Sequence, residues 1–128
     1  MEIPYLASVE WYAGYLSAFL RDEELQPLTD HRMLNRCRII GANGEQTLSV
    51  PIVGGGKILK RQSKTEILLS EHGNWRHLHW GAIFSAYGKA PFFEHYAPIF
   101  EPLFSQDFSC LRELNEAFHN EILKILKK

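Results

Sequence analysis

Apolar positions recur at helical spacing near the start of the chain. Val9, Tyr12, Ala13, Leu16 and Phe19 form one stripe, and Ser8 can cap a helix running to about Leu20. Residues 21–31 read as loop, with Pro27 discouraging helix. The pattern then switches to alternation. Asn35–Ala42 and Glu45–Val53 flank Asn43-Gly44, a pair that tolerates the positive φ of a two-residue hairpin turn. A loop of Asn43 and Gly44 sets Ile39 opposite Leu48, Arg38 opposite Ser49 and Cys37 opposite Val50. Cys37, Ile39, Leu48 and Val50 then share an apolar face. Arg36, Arg38, Ile40, Thr47 and Ser49 share the other.

A third strand is predicted at Thr65–Ser70, with Ile67 and Leu69 on one side. Asn74 can cap a helix ending at Gly88, with a stripe of Trp75, Leu78, His79, Ala82, Ile83, Ala86 and Tyr87. Trp80 and Phe84 lie on a second face, so both faces should be covered. Pro91 and Pro98 suit helix starts and predict two short helices, Pro91–Ala97 and Pro98–Ser105. Asp107 can cap a last helix to about Lys127, buried along Phe108, Leu111, Leu114, Phe118, Ile122 and Ile125. The expected fold class is α+β: an N-terminal helix, an antiparallel β-hairpin plus a third strand, and a helical C-terminal half. The length of 128 residues suits one domain, 1–128.

Net charge is −1, which gives no global attraction to nucleic acid or lipid. Its distribution is uneven. Residues 1–31 carry six acids against Arg21, a net of −5. Residues 32–64 carry seven bases, among them Arg36, Arg38, Lys57, Lys60, Arg61 and Lys64, against Glu45, a net of +6. A basic middle third points to a local anion site, or to charges that pair with the acidic flanks. Nucleic-acid binding needs a longer basic stripe and a motif, and neither is present. No stretch is long and apolar enough for a membrane span, and no signal peptide is expected. Two cysteines make neither a disulfide framework nor a zinc site. A reduced, cytoplasmic protein without a cofactor is the expectation.

Arg36 and Arg38 on one strand face, with Ser49 and Thr47 beside them, can hold a phosphate or carboxylate. Solvated surface arginines are the competing reading. Cys37 lies between two guanidiniums but points to the apolar face, so it reads as a small hydrophobe. His77 and His79 cannot face the same way on a helix and do not chelate. His79, within the apolar stripe, reads as a hydrogen-bonded core histidine, with general acid/base work as the alternative; His72 is the other candidate. Gly54-Gly55-Gly56-Lys57 reads as a turn, not a phosphate loop.

Several runs resemble the WbqC-like family in order. They are Tyr5-Leu6-Ala7-Ser8-Val9-Glu10-Trp11-Tyr12, Asn35-Arg36-Cys37-Arg38-Ile39, and Ala42-Asn43-Gly44 with Leu48-Ser49-Val50-Pro51. Asn74-Trp75, Leu78-His79-Trp80, Ala86-Tyr87-Gly88 and Pro91-Phe92-Phe93 continue the series, and the likeness runs from about Tyr5 to Asn115. The resemblance implies a protein of bacterial O-antigen and other surface-polysaccharide gene clusters, with a glycine-to-sugar transferase role in one branch. On the transferase reading, Asn35, Arg36, Arg38, Ser49, Asn74, Trp80 and Tyr87 are the candidate substrate-binding residues, with His79 or His72 moving a proton. The ligand would be a nucleotide sugar or an amino-acid donor. Two family cations are replaced, by Asp30 and Leu34, so a non-catalytic anion- or protein-binding module, a degenerate family member, is the alternative.

Overall fold

The computed structural model describes residues 3–23, 31–41, 43–54, 67–70 and 73–126. In chain order these form α1 (Val9–Leu20), a 3-10 turn (His31–Leu34), β1 (Arg36–Gly41) and β2 (Gly44–Ser49). The helices α2 (Trp75–Tyr87), α3 (Phe93–Ser105) and α4 (Leu111–Leu126) follow. The fold is α+β, as expected. Among the described residues no helix is long and apolar enough to cross a membrane.

The hairpin is antiparallel, but its register differs from the expected one by two residues. Ser49 faces Arg36, Leu48 faces Cys37, Thr47 faces Arg38 and Gly44 faces Gly41. Gly44 is thus the first paired residue of β2, not a turn residue, and it holds φ 105° there. A slip of two leaves the faces unchanged, because side chains alternate with period two. Cys37, Ile39, Leu48 and Val50 are buried, while Arg38, Ile40, Thr47 and Ser49 are exposed.

Among the described residues no third strand is formed. Residues 67–70 make single bridges instead, Leu69 to Ile52 and Leu68 to Cys110. Pro51 has no N–H to extend the ladder, although its carbonyl accepts from Ser70 N–H at 3.0 Å. Thr65 and Glu66 lie outside the described residues.

Ser8 caps α1 as expected, its Oγ accepting from Trp11 N–H at 3.2 Å. The expected buried stripe is only partly buried. Tyr12 is buried and Leu16 half-buried, but Val9, Ala13 and Phe19 are exposed. The helix meets the protein through Trp11, Tyr12 and Tyr15, whose rings gather around His119 of α4.

Asn74 precedes α2 but makes no side-chain cap. Gly88 ends the helix with φ −57°, not in the left-handed region. Its glycine identity answers a close approach: a Cβ there would lie 2.5 Å from the Phe84 carbonyl oxygen. Trp75 and His79 are buried, Leu78 is exposed, and Trp80 and Phe84 on the second face meet Phe93 of α3.

One helix, Phe93–Ser105, replaces the two short ones expected, with Pro98 and Pro102 inside it. Both prolines are exposed, so the carbonyls they leave without an N–H partner can reach water. Phe100, Leu103 and Phe104 on the other side pack into the core and hold the helix through the break. The last helix starts at Leu111, not after Asp107. Asp107 instead lies 3.9 Å from Arg76, and Glu113 accepts from the Ser109 backbone N–H and hydroxyl.

Candidate functional site

The Val50 N–H bond to the Asn35 carbonyl, 2.7 Å, extends the ladder. In this register the odd-numbered residues of β1 exchange hydrogen bonds with β2. The backbone groups of Ile40 and Ser49 therefore point off the two open edges of the hairpin. A side chain of α2 meets each. His79 Nε2 bonds the Ser49 carbonyl at 3.1 Å, and the Ile40 N–H donates to Tyr87 Oη at 3.0 Å. His79 and Tyr87 are eight residues apart, about 12 Å along a helix, so α2 crosses the apolar face and closes both edges.

His79 is 5% exposed, and both ring nitrogens have partners. Nε2–H donates to Ser49, which leaves Nδ1 to accept from Tyr5 Oη at 2.9 Å. Burial pushes the imidazole below its ordinary value, and the Ser49 bond partly opposes this. The ring is neutral and fixed in one tautomer. Tyr5 is fully buried, and burial first, then Cys37, raises its phenol well above the usual range. Cys37 is buried in the same core, and desolvation pushes its thiol up to about 12. It is a thiol at neutral pH, not an activated nucleophile.

The arginines emerge from the opposite face of β1. Arg38 is exposed and stands 3.8 Å from Glu45. Arg36 is half-buried; its Nε is enclosed without a hydrogen-bond partner, and no carboxylate pairs with it among the described residues. Ser49 is its cross-strand neighbour, with an exposed side chain. The strand separates Arg36 and Arg38 from His79, so one cleft does not hold all three.

The other expected site residues are dispersed. Asn35 is buried and its Nδ2 donates to the Val50 carbonyl at 2.9 Å. Asn74 is exposed at the head of α2. Trp80 is half-buried and stacked on Phe93, centroids 5.9 Å apart. Tyr87 ties the helix to β1 and is partly exposed. His72, Lys57, Lys60, Arg61 and Lys64 lie outside the described residues. A groove of about 690 Å³ runs between the hairpin tip at Gly44 and Gln46 and the α2 residues His77, Leu78, Gly81 and Ser85.

Three polar groups that organise this region carry no local signal in the sequence. Tyr5 reaches His79 across 74 positions, Tyr12 Oη bonds His119 Nδ1 at 3.1 Å across 107, and Asn115 reaches Ile3 across 112. Among the described residues, no group of three or more His, Cys, Asp or Glu side chains could hold a metal ion.

No curated protein and no solved structure matches this chain. Residues 20–127 match the sequence profile of the WbqC-like protein family. The matched span includes the hairpin and all of α2, α3 and α4, and leaves out the Tyr5–Tyr12 run. With most of its length inside that profile, the chain belongs to the WbqC-like protein family.

Proposed function

We propose that this chain binds an anionic small molecule on the Arg36 face of the hairpin, in a cytoplasmic transferase step of bacterial surface-polysaccharide assembly. The donor is a nucleotide sugar or an activated amino acid, and the group moved to a sugar is glycine or a related aminoacyl group. The transferase class rests on the family resemblance. The anion rests on one observation, the half-buried Arg36 guanidinium that no carboxylate faces among the described residues. Enclosing an Nε–H without an acceptor is unfavourable, and a phosphate or carboxylate supplies the missing acceptors in bidentate geometry. The Ser49 hydroxyl adds a donor across the strand pair. Arg38, exposed beside Glu45, contributes less. His79 acts here as a positioning residue, holding the Ser49 backbone from the other side of the sheet.

The double engagement of His79 favours a second reading, a non-catalytic anion-binding module. Titration calorimetry with a uridine-diphosphate sugar, and separately with pyrophosphate, tests the shared part of both. Arg36→Gln should weaken binding about tenfold or more, Arg38→Gln much less. Wild-type protein that binds neither anion would sink the proposal. Turnover of a donor, lost with Arg36→Gln, separates the transferase from the module.

A further inference from the structure

Between α2, α3 and α4 lies a pocket of about 320 Å³ lined only by apolar and aromatic residues. Trp80 and Ile83 of α2, Phe93, Ala97 and Phe100 of α3, and the almost fully buried Phe118 contribute to it. Tyr87 also lines it, but its hydroxyl is already engaged by the Ile40 N–H. A sugar, nucleotide or peptide placed here would leave its own polar groups without partners. The volume sits at the low end of ligand pockets, enough for one slender chain.

A second observation concerns the backbone. Of the three non-glycine residues at positive φ among those described, Leu6 at 43° lines this pocket and Phe92 at 67° precedes Phe93 at its wall. Bulky residues rarely adopt this conformation, and such strain gathers at ligand sites. Phe92 is 76% exposed, so burial of its own ring does not compensate the strain. Exposed Phe84 packs edge-on against Phe93, which extends the apolar surface outward from the pocket.

We propose that this pocket takes a single alkyl or isoprenoid chain of an amphiphile, with the head group left in water. The occupant is distinct from the anion at Arg36, on the far face of the hairpin. The test uses 12-bromododecanol, whose bromine quenches tryptophan fluorescence on contact. It should quench the wild-type protein, and unbrominated dodecanol should reverse the effect. Trp80→Phe should lose most of the quenching although Trp11 and Trp75 remain. Ala97→Phe, which fills the pocket, should weaken binding about tenfold, and Arg36→Gln should leave it unchanged. Phosphatidylcholine vesicles with brominated chains identify the source. Quenching from the vesicles assigns a membrane lipid, and quenching by the free alcohol alone assigns a soluble amphiphile. The competition on wild-type protein decides even where a variant fails to fold: quenching that dodecanol does not reverse, or that persists undiminished in Trp80→Phe, overturns the proposal.

Discussion

His79 shows how a single side chain can tie three parts of the molecule together. Its ring takes a hydrogen bond from the N-terminal Tyr5 and gives one to the end of β2, while its backbone belongs to α2. Such a ring is stable only when neutral, because protonating Nδ1 removes the acceptor that Tyr5 needs. Burial holds its pKa below the ordinary 6.5 of the unfolded chain. Above that value both states are neutral and the stabilisation is complete; as the pH falls below it, the unfolded chain binds the proton first and stability drops. Urea unfolding at about pH 7.5 and about pH 5.5 should therefore show a larger loss for the wild type than for His79→Gln. Equal losses in the two proteins would show that this ring is not the titrating group. The burial of His79 was legible from its place in the apolar stripe. Its partners were not, since Tyr5 is 74 positions away and nothing local marks it.

At the level of elements, the sequence patterns were followed most closely where apolar contacts and backbone chemistry agree. Ser8 and the amphipathic run behind it make α1, and alternation makes the two faces of the hairpin. They diverge where packing overrides propensity. The α3 helix contains Pro98 and Pro102, residues that each cost about 3 kcal/mol relative to alanine inside a helix. Its continuity comes from Phe100, Leu103 and Phe104 on the core side. Because Pro98 is exposed, Pro98→Ala should lose no packing and should restore a bond to the Glu94 carbonyl. Some of the gain is offset because proline stiffens the unfolded chain. A net stabilisation of about 1 kcal/mol or more is expected in thermal unfolding. A destabilised Pro98→Ala protein would mean that the proline is required by the packing rather than tolerated by it.

Across the whole molecule, Tyr12 with His119 and Ile3 with Asn115 join the N-terminal segment to the C-terminal helix among the described residues. Asn115 Nδ2 donates at 2.8 Å to the Ile3 carbonyl and at 2.8 Å to the Leu34 carbonyl. Asn115 is 3% exposed, so removing it leaves two acceptors without their donor in the interior. Asn115→Ala should cost about 2 kcal/mol or more, measured by urea unfolding. Lys124→Ala, which removes only the exposed contact to Glu121, should change stability by less than about 0.5 kcal/mol. If the two variants are equally stable, Asn115 does not hold the two segments together. The same long-range organisation separates Arg36 from His79: one strand carries the guanidinium to one face while the ring packs on the other.

By itself the sequence determined what depends on neighbours along the chain. Hydrophobic periodicity set the helices and the alternation of β1 and β2, and the parity of that alternation put Cys37 inside and Arg36 and Arg38 outside even though the register moved by two. Its order of motifs also pointed to the WbqC-like family. Tertiary structure decided the rest: the fusion of two short helices into α3, the single bridges where a third strand was expected, and the pairing of Tyr5 with His79 and of Tyr12 with His119. Each of these is settled by contacts between residues far apart in sequence. Their energies come from burial and from satisfying polar groups inside the core, and no local pattern encodes which distant group will arrive to do so.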